Sequence, residues 1–422
     1  MLARHRWKWI GAFGLGLLLS VVGWGSWATV PTLFGQGELL SQAWVELGPE
    51  AIPLARVITT AKTCPDIRID QQLQAMTVHG AANVAFPVMV CEATIPPGTT
   101  QARIGTSPLA LPKAKIEKIL VVGDTGCRLK GKQFQACNDP QAWPWATIAH
   151  EAAAWQPDLI IHVGDYYYRE APCPAGHAGC VGSPWGDNWP AWNADFFTPA
   201  QPLLSAAPWV FLRGNHELCS RGGQGWFHFL DPRPQPTPCS DYTPAYQIPL
   251  SPLNLIVLDS AAAEDLIAQP TSAATYREQL SPFLKINSSP TWLLTHRPVW
   301  GIGEAAQGTL YRINATLQQA VSSLNLTALN TIFSGHIHLY QSLNFGADPR
   351  QIIVGNSGTE LNEPIITPLV GKTIAGKTIQ SSQASANFGY MTLTANNEGW
   401  QAQAWELNQQ PLGESFNIRT KG

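Results

Sequence analysis

The stretch IIHVGDYYYRE, residues 160–170, decides how this chain is read. An apolar run ends in Gly164–Asp165, and three tyrosines, an arginine and a glutamate follow. A buried strand delivers an acid and a row of phenols at its carboxyl end. In open α/β sheets that end is where ligands bind.

The same arrangement recurs outward from this point. Ile119–Val122 leads into Gly123-Asp124-Thr125-Gly126, and Trp209–Leu212 into Arg213-Gly214-Asn215-His216-Glu217. Trp292–Leu294 leads into Thr295-His296-Arg297-Pro298, and Thr331–Phe333 into Ser334-Gly335-His336-Ile337-His338. Leu255–Leu258, closed by Asp259, and Ile352–Val354 are further short apolar runs. Runs of this length bounded by Gly, Asp and Asn read as buried strands. Helical stretches are expected near 142–155, 194–206, 272–285 and 309–323. Strand and helix alternate, which gives an α/β fold. Tyr390–Thr394 and Trp400–Leu407, joined by Asn396-Asn397-Glu398-Gly399, read as a β-hairpin.

Each motif alone is weak. A Gly-Asp after a strand is often only a turn, and a lone Asn-His is often a cap. His336 and His338 are stronger, because alternate strand residues face one side and can converge on one centre. Five such motifs in order, at equivalent places, leave little room for a purely structural explanation.

Taken together, the motifs resemble the calcineurin-like metallophosphoesterases, and within them the purple acid phosphatases, over residues 116–360. The resemblance implies two packed mixed β-sheets flanked by helices and a two-metal centre at the sheet edge. It implies one metal held by Asp124, Asp165, Tyr168 and His338. A second would be held by Asp165, Asn215, His296 and His336, with Asp165 bridging. Many superfamily members supply a histidine two residues after the first aspartate. Here Thr125-Gly126 follows Asp124, and Tyr168 matches the family's phenolate substitute. A phenol with an ordinary pKa near 10 needs a strongly polarising cation to ionise. Fe(III) is therefore expected at the first site, with Zn, Mn or Fe(II) at the second. His216 is implied as the non-ligand histidine that stabilises the oxyanion or protonates the leaving oxygen. Arg169, four residues after Asp165, resembles the phosphate-binding arginine of the phosphoprotein phosphatases. Read without the resemblance, it is equally a surface ion pair with a neighbour such as Glu170. Tyr166 and Tyr167 are expected as packing or pocket wall. The implied activity is hydrolysis of a small phosphorylated substrate by a metal-activated water or hydroxide, with phosphomonoesters first and phosphodiesters second. A non-catalytic exported binding protein on the same fold is the rival from another class.

Composition sets the remaining limits. The chain has 422 residues, 45% of them hydrophobic and 13% charged, with a net charge of −3. It lacks the basic field of a nucleic-acid binder. Oligomeric state is not readable. Arg4, Arg6 and Lys8 precede an apolar run, so residues 1–28 are expected to be a cleaved signal or an N-terminal membrane anchor. The remainder would then be exported, to the periplasm or beyond. Cys64, Cys91, Cys127, Cys137, Cys173, Cys180, Cys219 and Cys239 are then expected as disulfides, and sequential pairing closes only short loops. Cys173, His177 and Cys180 would otherwise be three ligands of a zinc site. Residues 31–112 are expected to form a small β-rich region, 113–410 the metallophosphoesterase domain and 411–422 a tail.

Overall fold

The computed structural model describes residues 40–284, 289–305 and 308–419. The expected signal or anchor at 1–28 lies outside them.

Two mixed sheets stack face to face. In the larger, ten-stranded sheet, Lys118–Val122, Leu159–His162 and Trp209–Phe211 run parallel side by side. In the smaller, seven-stranded sheet, Asn254–Leu258, Thr291–Thr295, Thr331–Ser334 and Arg350–Val354 do the same. Antiparallel strands flank each parallel core.

Alternation along these strands builds the layers. Ile119, Val121, Ile161 and Val210 face the other sheet and meet Leu255, Val257, Trp292, Leu294 and Phe333. Leu120, Val122, Ile160, Trp209 and Phe211 face outward onto helices Trp145–Ala154 and Thr198–Leu204. Ile256, Leu258, Leu293 and Ile332 face outward onto helices Pro270–Leu280 and Ala315–Val321. Strands covered on both faces are apolar along their central positions, which is why they read as continuous runs. The chain is thus a helix–sheet–sheet–helix sandwich.

Three boundaries differ from the sequence reading. The N-terminal region is β-rich, but part of it belongs to the large sheet. Leu40–Leu47 pairs in parallel with the 209–211 strand, and Pro53–Thr59, Met89–Thr94 and Thr77–Gly80 extend the sheet beyond it. A separate four-stranded sheet, including Asp66–Ile69 and Ala102–Ile104, covers that edge. The expected tail is not a tail. Pro411–Arg419 is an edge strand paired with Gly399–Glu406 and anchored by buried Leu412 and Ile418. Residues 309–313, expected as helix, form a strand against Gly301–Ala305, and the helix starts only at Ala315, capped by Asn314.

Four disulfides join Cys64–Cys91, Cys127–Cys137, Cys173–Cys180 and Cys219–Cys239. Cys173 and Cys180 are therefore bonded to each other, not held as thiolates for zinc. Four disulfides suit an oxidising compartment. Among the described residues no helix is long and apolar enough to cross a membrane.

Candidate metal centre

The centre sits where the carboxyl ends of both parallel cores meet. Backbone turns at the strand ends aim the side chains. Asp124, Asp165 and His336 adopt left-handed φ values of 56°, 62° and 72°. Non-glycine residues rarely do so, and such positions gather at functional sites. Glycines beside them give room: a Cβ on Gly214 would overlap Asp165 Oδ1, and one on Gly335 would overlap Asp124 Oδ2.

Two buried carboxylates organise the tyrosine loop. Glu217 accepts hydrogen bonds from the backbone N–H groups of Gly214, Asp165, Tyr166 and Tyr167 at 2.9, 3.1, 2.9 and 3.2 Å. Burial, then the nearby Asp165 charge, pushes Glu217 up to about 8. Asp195 accepts from the N–H groups of Tyr168, Arg169 and Cys127. The three tyrosines then part company. Tyr166 is buried, stacks on His162 and donates to Leu212 O at 2.9 Å. Tyr167 is buried and donates to Arg169 O at 2.9 Å. Both are packing residues. Tyr168 alone turns its hydroxyl to the centre, 2.8 Å from Asp165 Oδ2, 3.1 Å from Asp124 Oδ1 and 2.9 Å from His338 Nε2.

The donor atoms fall into two overlapping groups. Asp124, Asp165 and His338 form one, and Asp165, His296 and His336 the other, with their ligand atoms within 4.8 Å of one another in each. Asn215 Oδ1 lies 3.1 Å from His296 Nε2 and belongs with the second group. The imidazoles are preset. His296 Nδ1 lies 2.7 Å from Val163 O and His338 Nδ1 2.8 Å from Glu360 O. A carbonyl only accepts, so each Nδ1 carries the proton and each Nε2 offers a lone pair to the centre. His336 is turned the other way. Its Nε2 lies 2.9 Å from Asp265 Oδ2, which leaves Nδ1 as the free nitrogen. His336 and His338 therefore do not stand side by side on a strand: they lie on the turn beyond Ser334 and serve different groups.

Charge favours cations here. Burial and then Asp165 push the Asp124 carboxyl well above the usual range. At Asp165 burial also opposes ionisation, but the charge of the His296 and His216 rings, when they are protonated in place of binding an ion, outweighs it and holds the group well down. Among the described residues, neither acid meets a lysine or arginine within salt-bridge distance. Burial, then Asp165 and Asp124, push the Tyr168 phenol well up. Two adjacent buried carboxylates, a phenol, an amide oxygen and three imidazoles suit hard or borderline ions.

Around the centre opens a cavity of about 560 Å³, lined in part by Asp165, Asn215, His216, His336 and His338. His216 stacks on the Tyr168 ring at 3.7 Å, and its Nε2 lies 4.0 Å from Asp165 Oδ2. Its Nδ1 is flanked by Glu170 Oε1 at 2.5 Å and Arg221 Nη2 at 2.6 Å. Nδ1 can accept from Arg221 in the neutral ring or donate to Glu170 in the charged ring. Nε2 faces the cavity, and it carries a proton when Nδ1 accepts from Arg221 or when the ring is charged.

Arg169 is not brought to the cleft. It is buried, its Nε donates to Asp195 Oδ1 at 2.6 Å, and its guanidinium lies over Trp143. Its own N–H shares Asp195 with Tyr168, and the side chain follows it inward. It is neither a phosphate ligand in this arrangement nor a surface partner of Glu170, which pairs with His216 and Arg221. Asp259 is structural, accepting from Thr243 and Arg213. Sequence reasoning missed the cavity residues Arg128, Lys130 and Asp265. None stands in a strand-end motif, so no local pattern marks them.

Residues 117–340 match the calcineurin-like phosphoesterase family. Among solved structures, a purple acid phosphatase from yellow lupin (Lupinus luteus) seeds is similar at 12% identity and a TM-score of 0.57, covering 90% of this chain and 74% of that one. A structure of PhoD is similar at 10% identity and a TM-score of 0.54, covering 88% and 91%. These likenesses show the fold. No curated protein sequence matches.

Proposed function

Since the chain belongs to the calcineurin-like phosphoesterase family, we propose that the cleft hydrolyses phosphomonoesters around a pair of metal ions. The observation that carries the reading is the sharing of Asp165 by two donor groups. Asp124, Asp165, Tyr168 and His338 would hold one ion, and Asp165, Asn215, His296 and His336 the other. When bound, such a pair supplies positive charge to the phosphoryl oxygens and lowers the pKa of an attacking water. The protein's own groups complete the chemistry. Arg128, its Nη1 3.4 Å from His338 Nδ1, adds a positive charge at the edge of the centre, which suits a dianionic monoester better than a monoanionic diester. His216 holds a proton on Nε2, which passes to the leaving oxygen as the ester P–O bond breaks. Glu170 and Arg221 orient the ring that does so.

The test compares p-nitrophenyl phosphate with its bis-ester on protein loaded with iron, zinc or manganese. Faster release from the monoester supports the reading; no release from either ends it. Tyr168, at the centre of the first group, supports Fe(III) there. Iron-loaded protein should then be purple, and Tyr168→Phe colourless. A colourless protein fully active with zinc or manganese would end the iron assignment and leave the hydrolase. The four disulfides support export, and N-terminal sequencing of the mature protein reads whether residues 1–28 remain.

A further inference from the structure

The Cys127–Cys137 disulfide closes a short hairpin, with strands Leu129–Lys130 and Gln133–Phe134, against the rim of the cleft. Leu129 is buried beneath it. Side chains alternate along a strand, so Arg128 and Lys130 both point the other way, and both line the cavity. Their Cα atoms are about 6.5 Å apart by strand geometry.

The two cations differ in how they are held. Arg128 Nε donates to Gln133 Oε1 at 2.8 Å, and its guanidinium lies over the Tyr168 ring. The Lys130 ammonium has no hydrogen-bond or ion-pair partner among the described residues. Its half-buried ammonium feels burial, then Arg221, with Glu170 opposing and Arg128 adding to the push, so that its pKa is lowered. A cation kept beside two others without a counter-ion of its own is costly, and an incoming anion relieves that cost. The donor groups around Asp165 already provide for one phosphoryl group. Leu266, Tyr311, Ile313 and Ile337 also line the cavity, and their apolar surface suits the carbon frame of a ligand. The cavity is large enough for a small organic molecule with two phosphates.

We propose that Lys130 forms a second anion subsite, so that the substrates of this cleft are phosphoesters carrying a further phosphate on the leaving group. The proposal rests on the phosphoesterase reading above. One phosphate lies at the Asp165 centre, Arg128 stands between, and the second phosphate meets the Lys130 ammonium.

The experiment compares fructose 1,6-bisphosphate with fructose 6-phosphate on wild-type protein, Lys130→Met and Lys130→Arg. The wild type should favour the bisphosphate in kcat/KM. Lys130→Met should cut that preference about tenfold, through KM, and Lys130→Arg should restore most of it. An equal loss on both sugars would mean that Lys130 serves the scissile phosphate, and no loss on either would mean that it serves none; both overturn the subsite. If the wild type releases phosphate from neither sugar, the p-nitrophenyl phosphate assay above decides the phosphoesterase reading separately. Calorimetric titration with inorganic pyrophosphate and orthophosphate then still decides the subsite. Lys130→Met should lower the pyrophosphate-to-orthophosphate affinity ratio about tenfold, and an unchanged ratio overturns the proposal. Chelation by pyrophosphate is common to both proteins and drops out of the comparison.

Discussion

The two sheets contribute opposite kinds of donor. The ten-stranded sheet supplies oxygens: Asp124, Asp165, Tyr168 and Asn215, on turns held by the buried carboxylates Glu217 and Asp195. The seven-stranded sheet supplies nitrogens: His296, His336 and His338, whose outer nitrogens rest on two carbonyls and on Asp265. The oxygen half carries the charge and is locked by its own backbone. The nitrogen half is neutral and is set by whichever acceptor sits behind each ring. Damage to the first should therefore act through charge and loop order, and damage to the second through ring orientation.

The sharpest way to break this contrast is Asp165→Asn, which removes the one charge common to both groups. Both metals and nearly all activity should be lost; elemental analysis that finds both ions at full occupancy would contradict the bridge. His216→Ala removes a ligand from neither half, although its ring lies against the Tyr168 ligand. Its metals should stay while the rate falls roughly 10²–10⁴-fold, and less with leaving groups that need no proton. Metal loss in step with rate would make His216 a ligand or support instead. Asp265→Asn probes the nitrogen half alone. Losing the carboxylate charge behind His336 should weaken the second ion roughly 10–100-fold, read as unequal metal affinities; an equal fall at both ions would undo the division. Tyr167→Phe should matter least. It removes a buried hydrogen bond to Arg169 O, costing about 1 kcal/mol, and should leave metal content and colour intact; thermal melts and absorption spectra check both halves of that statement.

The ligands were legible because each follows an apolar run, and a buried parallel strand announces itself as such a run. Tyr168 was separable from Tyr166 and Tyr167 because Thr125-Gly126 left the first group short of a histidine. What escaped were groups that act from a distance. Asp195 holds Tyr168 and Arg169 from 27 and 26 residues away, so nothing near Arg169 marked it as buried. Lys130 lies on, and Arg128 just before, a two-residue strand too short for any periodicity. Pro411–Arg419 read as a tail because an edge strand with few buried positions shows little alternation. Residues 31–112 read as separate because the strand that joins them to the large sheet pairs Glu46 with Trp209, far along the sequence.

The contact between His336 N and Asp124, 212 residues apart in sequence, carries a consequence for how the protein is made. Closing so long a loop is entropically expensive and comes late in folding. The donor set therefore does not exist until both sheets have stacked, and an ion has no comparable site on the unfolded chain. Whatever free energy the metals gain on binding is then added almost whole to the native state: on the order of 2.7 kcal/mol for an ion present at a hundredfold excess over its Kd. With such ions bound, the supply of metal in the compartment where the chain folds would set its lifetime as well as its chemistry.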